Sequence, residues 1–168
     1  LNMLIWLMSD SMGPALTTFV AQNLGAKNPE RIRKGVTMGT SMSAGAVALI
    51  SVGLFFFARI LTPLFVSSQD AASLGVLVGT YSRMMAPFFF FYAIAEALSG
   101  ACCGTGDTVR PMITTLLAIC LLRVIGILLV LPIYGTMECI VVIYIASWIA
   151  AGVSFLLLWH RDAAHISR

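Results

Sequence analysis

Asp10, Arg83, Glu96 and Arg123 stand inside long apolar stretches of a chain that is otherwise poor in charge. An ionised side chain in hydrocarbon costs about 2.5–3.5 kcal/mol on insertion scales, so each of these needs a partner or a wet cavity. If each stretch is a helix rising about 1.5 Å per residue, Asp10 and Arg123 both lie about eight residues, roughly 12 Å, below the same membrane face. Arg83 is placed similarly. Asp10 facing Arg123 or Arg83 is therefore the expected intramembrane ion pair. The other chemistry open to this set is a cation or proton site whose acid is released when the pair breaks.

Glu96 has no basic residue close to it on its own helix. Tyr92, Glu96, Ser99 and Cys103 recur at i, i+4, i+7 and i+11 and so share one helical face. A polar stripe on an apolar helix looks into the bundle or into a water-filled cavity. There a carboxylate can bind a cationic substrate or carry a proton. Equally, Glu96 can reach the interface or hydrogen-bond the turn at 104–111.

Chemistry of other kinds has little to stand on. The two histidines, His160 and His165, lie near the C-terminus, away from any nucleophile. The "GTGDT" of Gly104–Thr108 lacks the Gly-Lys-Ser/Thr of a phosphate loop and a strand before it. Cys102, Cys103, Cys120 and Cys139 sit in or beside apolar runs without CxxC or Cys/His spacing, and read as small hydrophobes rather than metal ligands. No enzyme, cofactor or metal is expected. Basic residues form no stripe with interleaved aromatics, so no nucleic-acid partner is expected either.

The elements that must position these groups follow from composition. The chain is 60% hydrophobic and 10% charged. Soluble domains are about 45–50% apolar, so membrane lipid is the expected surrounding. A spanning helix needs about 20 mostly apolar residues. Five stretches qualify: 2–24, 36–62, 74–101, 111–131 and 138–159. The first is the least apolar, and Pro14 and Pro87 are expected to kink the first and third. Pro63 and Pro132 close the second and fourth, and Trp159 ends the fifth at an interface. Short connections rich in Gly, Pro, Asn, Asp and Ser, at 25–35, 62–73, 104–111 and 132–135, read as turns between antiparallel neighbours. The fold class is thus all-α, a polytopic membrane bundle. Gly35, Gly39 and Ser43, four residues apart, form a small face that lets a neighbouring helix approach closely.

Orientation follows from charge. Lys27, Arg31, Arg33, Lys34, Arg110, Arg161 and Arg168 all fall on one side of the alternating spans, while the opposite loops hold no Lys or Arg. That asymmetry marks the first side as cytoplasmic. The sequence opens at Leu1 inside an apolar segment, and it is read as a piece of something longer.

Two stretches resemble the C-terminal half of multidrug and toxic compound extrusion (MATE) transporters. "TTFVAQNLGAKNPERIRKG" (Thr17–Gly35) is similar to the loop between spans eight and nine, with Gln22, Asn23, Gly25 and Arg31 as its motif residues. "EALSGACCGTGDTVRPMI" (Glu96–Ile113) is similar to the loop between spans ten and eleven, with Gly104, Gly106 and Asp107. "LLRVIG" (Leu121–Gly126) and "ASWIAAG" (Ala146–Gly152) resemble spans eleven and twelve. The resemblance implies five helices of a twelve-helix, two-lobe transporter, so that residues 1–168 form a partial C-terminal lobe. Span seven and the N-terminal lobe of the same chain would lie outside the present sequence. It also implies a cation-coupled antiporter in the cell's inner (plasma) membrane, its C-terminus cytoplasmic. Such a protein exports organic cations and amphipathic drugs by alternating access, in exchange for sodium ions or protons. Cys103 stands where many relatives have Arg, Tyr92 where some carry a cation-binding Asp, and Ile125 where a Pro is usual. Glu96, Asp10 and Tyr92 are the candidates for the cation or substrate cavity.

Two other readings compete. A flippase for a lipid-linked precursor needs several cavity cations, and only Arg83 and Arg123 are available. A non-transporting five-span membrane subunit is the reading from a different functional class.

Overall fold

The computed structural model describes residues 3–61 and 79–166. The expected loop at 62–73 and the start of the third span lie outside the described residues. Among those described, the fold is all-α, with five helices: α1 (Met3–Gly25), α2 (Pro29–Leu61), α3 (79–104), α4 (109–134) and α5 (Met137–Ile166). Four of them, α2 to α5, are long and apolar enough to cross a membrane. The first, with the polar run around Asp10, is 23 residues long.

The helices run further than the apolar stretches because their ends are capped by local polar groups. At the first turn only Ala26–Asn28 breaks the helix, so the expected loop at 25–35 is mostly α2. Lys27 takes a left-handed φ of 53°, and Asn28 then starts the next helix. The Asn28 Oδ1 accepts the Arg31 amide at 3.1 Å, and Pro29 occupies the first helical position, where a missing N–H costs nothing. Arg31, Arg33 and Lys34 therefore sit on the opening turns of α2 rather than in a loop.

A similar correction applies at 104–111. Asp107 Oδ1 accepts the amides of Val109 (3.1 Å) and Arg110 (3.2 Å), so α4 begins at Val109. At the far end α4 passes through Pro132 and stops at Gly135. Gly135 adopts φ 59° and donates its amide to the Leu131 carbonyl at 2.9 Å. Proline near a helix end loses one bond but leaves the rest intact, whereas left-handed glycine ends the helix. Trp159 is buried, packing with Phe155 and Ala163 in the core rather than marking an interface, and α5 continues to Ile166.

Pro87 does interrupt its helix, as a 3-10 turn at Ala86–Phe88. Pro14 lies inside α1, which is helical on both sides of it. One irregularity carries no proline: Leu116–Leu121, in the middle of α4, is a π turn.

The core is organised around α3, which packs against α1, α2 and α5, while α4 leans mainly on α5. Ala93, Ala95, Ala97, Leu98, Gly100, Ala101 and Cys102 are all buried. On α2, Gly35 and Gly39 receive Phe19 and Leu16 of α1: a methyl on Gly39 would stand 2.8 Å from Leu16, and one on Gly35 would collide with the Phe19 ring. The small face expected on α2 is thus a socket for α1.

Candidate functional site

The α1–α3 seam sets the geometry of the site. A side chain on Gly100 would drive into the backbone of Gly13, and one on Gly104 would meet the Thr17 carbonyl at 2.6 Å. Thr17 Oγ1 donates across the seam to the Gly100 carbonyl at 2.8 Å. Matched positions rise together along both helices, from Asp10 with Tyr92, through Gly13 with Glu96, to Thr17 with Gly104. The helices therefore pack parallel, as two spans with one span between them do. Without the hydrophobic effect to join helices in lipid, glycine backbones in contact and an interhelical hydrogen bond provide the adhesion.

The same register brings the acids together. Tyr92 donates its hydroxyl to Asp10 Oδ1 at 3.1 Å. One turn along α3, the Glu96 carboxyl lies against Gly13, with Oε1 3.4 Å from where a β-carbon there would stand. Tyr92, Glu96, Ser99 and Cys103 are all half-buried on a helix whose other residues are mostly buried, so the polar stripe is its open face. Asp10 is exposed on α1 beside it.

An aromatic wall backs this pair of helices. Trp6 of α1 lies 5.4 Å from Tyr92, Tyr92 6.3 Å from Trp148, and Trp148 6.2 Å from Tyr144, ring centre to ring centre. Phe89 packs beneath Trp148 at 4.9 Å, which places one ring of the Phe88–Phe91 run in the core. Arg123 ends the row. Its guanidinium lies 4.1 Å from the Tyr144 ring centre, and its Nε donates to Ser147 Oγ at 2.9 Å. A cation over an aromatic face is held by the ring quadrupole, worth about 2 kcal/mol when desolvated.

The expected ion pair is not formed. Among the described residues no arginine lies within ion-pairing distance of Asp10. Arg123 is taken up by α5. Arg83 donates from Nε to the Phe55 carbonyl at 3.1 Å and lies over the Phe55 ring, so it faces α2 instead. Arg83 stands nine residues before Tyr92 on α3, roughly 13 Å away, and so is not level with Asp10, while Arg123 is held by α5, a neighbour that depth alone does not reveal. Asp10 and Glu96 consequently form an acidic patch around a phenol, with oxygen donors suited to a small hard cation or a proton.

The basic end of the bundle explains the two loop motifs. Asn23 is buried and donates to the Phe19 carbonyl at 2.7 Å, while Gln22 and Gly25 frame the turn where the Ala26 amide bonds the Gln22 carbonyl. Gly106 takes φ 95°, which a β-carbon would strain. Asp107 grips Arg110 at 2.7 Å, and Arg110 reaches Asp162 of α5 at 3.3 Å. Sequence reasoning missed Gly13, Thr17, Ser147, Trp148 and Asp162. Gly13 beside Pro14 was the one local signal; the rest need the tertiary register.

Residues 1–129 match the MatE family, more than three quarters of the chain. The chain belongs to the MatE family. It is also 30% identical over 105 residues to the "Probable multidrug resistance protein NorM" of Thermotoga maritima, a match covering 62% of the chain and 22% of that relative. The MatE chain thus spans less than a quarter of the relative's length. With its long apolar helices, family membership makes it a multi-pass membrane protein.

Proposed function

We propose that this MatE chain is the spans-eight-to-twelve part of a cation-coupled antiporter that exports organic cations and amphipathic drugs. The single observation that carries the reading is the acid pair Asp10 and Glu96 on the open face of the α1–α3 seam, with Tyr92 donating to Asp10 and no arginine paired with either acid among the described residues. An inward sodium ion or proton engages the carboxylates. A cationic drug competes for the same negative charge, with the Trp6–Tyr92–Trp148 wall supplying apolar contact. Alternating access then needs two lobes rocking about a midplane site, the second lobe coming from the rest of the protein. The basic residues from Lys27 to Lys34 support a cytoplasmic placement for this end and for the C-terminus, in the inner (plasma) membrane. The relative's name supports a drug as cargo.

The test is export of a cationic dye from cells producing the full-length protein at matched levels. Glu96→Gln is expected to lower the export rate about tenfold, the loss of about 1.4 kcal/mol of coupling. Export unchanged in both Glu96→Gln and Asp10→Asn would remove the acid pair from the mechanism. In proteoliposomes, imposing a sodium gradient or a pH gradient separately identifies the coupling ion.

A further inference from the structure

A groove of about 340 Å³ opens between α2 and α5 at the basic end of the bundle, on the far side of α3 from the acid pair. Its size lies within the roughly 300–1,000 Å³ of small-molecule sites. Exposed Arg33 and His160 stand at its mouth, Leu98 and Ile94 line its depth, and Leu156 forms its exposed apolar side. The wall also carries Thr40, whose Oγ1 is buried and has no hydrogen-bond partner. A cationic mouth, a lone buried hydroxyl below it and an apolar interior form a polarity gradient along one groove. That is the order of groups in a phospholipid read from headgroup to tail.

The charge at the mouth is uncompensated. Glu30 is held by Lys34 at 2.6 Å, and Asp107 and Asp162 are held by Arg110. Among the described residues neither Arg33 nor His160 has an ion-pair partner. Arg33 lies near the positive end of its helix, so the macrodipole gives it no stabilisation there. A second apolar shelf on α2, formed by Met38 and Met42, continues from the same Arg33.

We infer that this groove binds one anionic phospholipid, its phosphate between Arg33 and His160 and one acyl chain along Ile94, Leu98 and Leu156. Thr40 Oγ1 then meets an ester oxygen of the glycerol region. An anionic headgroup gains about 1 kcal/mol per basic residue near a membrane surface, which a zwitterionic lipid forgoes. The site is separate from the acid pair and does not depend on what is exported.

Native mass spectrometry of the purified full-length protein, titrated with phosphatidylglycerol or phosphatidylcholine, tests this. The intact protein is expected to prefer phosphatidylglycerol by about fivefold or more, the ratio that about 1 kcal/mol from Arg33 gives. The Arg33→Gln/His160→Gln pair should bring the two lipids within about twofold of each other, whereas Lys27→Gln/Arg31→Gln, which removes charge outside the groove, should keep the preference. Thr40→Val should weaken phosphatidylglycerol binding about threefold, as loss of one hydrogen bond would. No preference in the unaltered protein, or equal loss from both charge pairs, would overturn the site in favour of diffuse attraction. Because the readout is lipid binding, it fails or succeeds apart from dye export.

Discussion

Helices α3 and α4 are both apolar enough to cross a membrane, yet they occupy opposite situations. The window of α3 has a mean hydropathy of 1.4 and is 56% buried, while that of α4 reaches 2.8 and is 6% buried. In water the more apolar helix would be the interior one. Here the order is reversed, because lipid is as apolar as leucine and gives no reason to hide it. What draws a helix inward is a small surface and polar groups that need company. Gly100, Gly104, the alanines and the Tyr92–Glu96 stripe supply both on α3, whereas α4 presents Leu128, Leu129 and Ile133 outward and holds to α5 through Arg123.

The sharpest way to break this contrast is Gly100→Leu. The new side chain would enter the Gly13 backbone, and overpacking where backbone cannot yield should cost at least about 3 kcal/mol. Detergent-purified full-length protein should lose its cooperative melt, and a normal melt would show that α1 and α3 are not so closely joined. Arg123→Lys comes next. Lysine keeps the charge but loses the flat overlap with Tyr144 and the Ser147 bond, an expected loss of about 1–2 kcal/mol, visible as a lower melting temperature. Tyr92→Phe removes only the bond to Asp10, about 0.6 kcal/mol for an interhelical bond in lipid. It should change the dependence of export on the coupling ion by roughly threefold while leaving the melt nearly unmoved. At the bottom of the scale, Leu128→Ala on α4, 67% exposed, should shift stability by less than about 0.5 kcal/mol. A large effect there would mean that another helix, not lipid, covers this face.

The fold class was legible because apolar runs of spanning length need no knowledge of neighbours. The ends of the described helices are set by groups outside the apolar runs. Asn28, Asp107 and Gly135 extend or stop helices by hydrogen bonds that a hydropathy count does not register. The polar stripe on α3 was readable from spacing alone, since i and i+4 share a face whatever surrounds them. Its partner across the seam was not. Asp10 was assigned by depth, and depth fixes one coordinate out of three; which helix stands beside α1 follows from Gly13, Thr17 and Gly100 meeting, a match of small residues 83 positions apart in the case of Thr17 and Gly100. Arg83 lies nine residues before the Tyr92 that meets Asp10, and Arg123 ends the same aromatic row but is claimed by Tyr144 and Ser147 of α5.

The π turn at Leu116–Leu121 bears on how this lineage can change. A π turn holds one residue more than the α turn it replaces, and it stands immediately before Arg123. Deleting a single residue there would restore regular winding and leave the helix on either side in phase, because the wide turn absorbs the extra residue. Arg123 would keep its place beside Tyr144 and Ser147, whereas the same deletion in a regular part of α4 before it would swing it by about 100°. The wide turn thus marks a place where the length of α4 can change while a half-buried cation stays aimed.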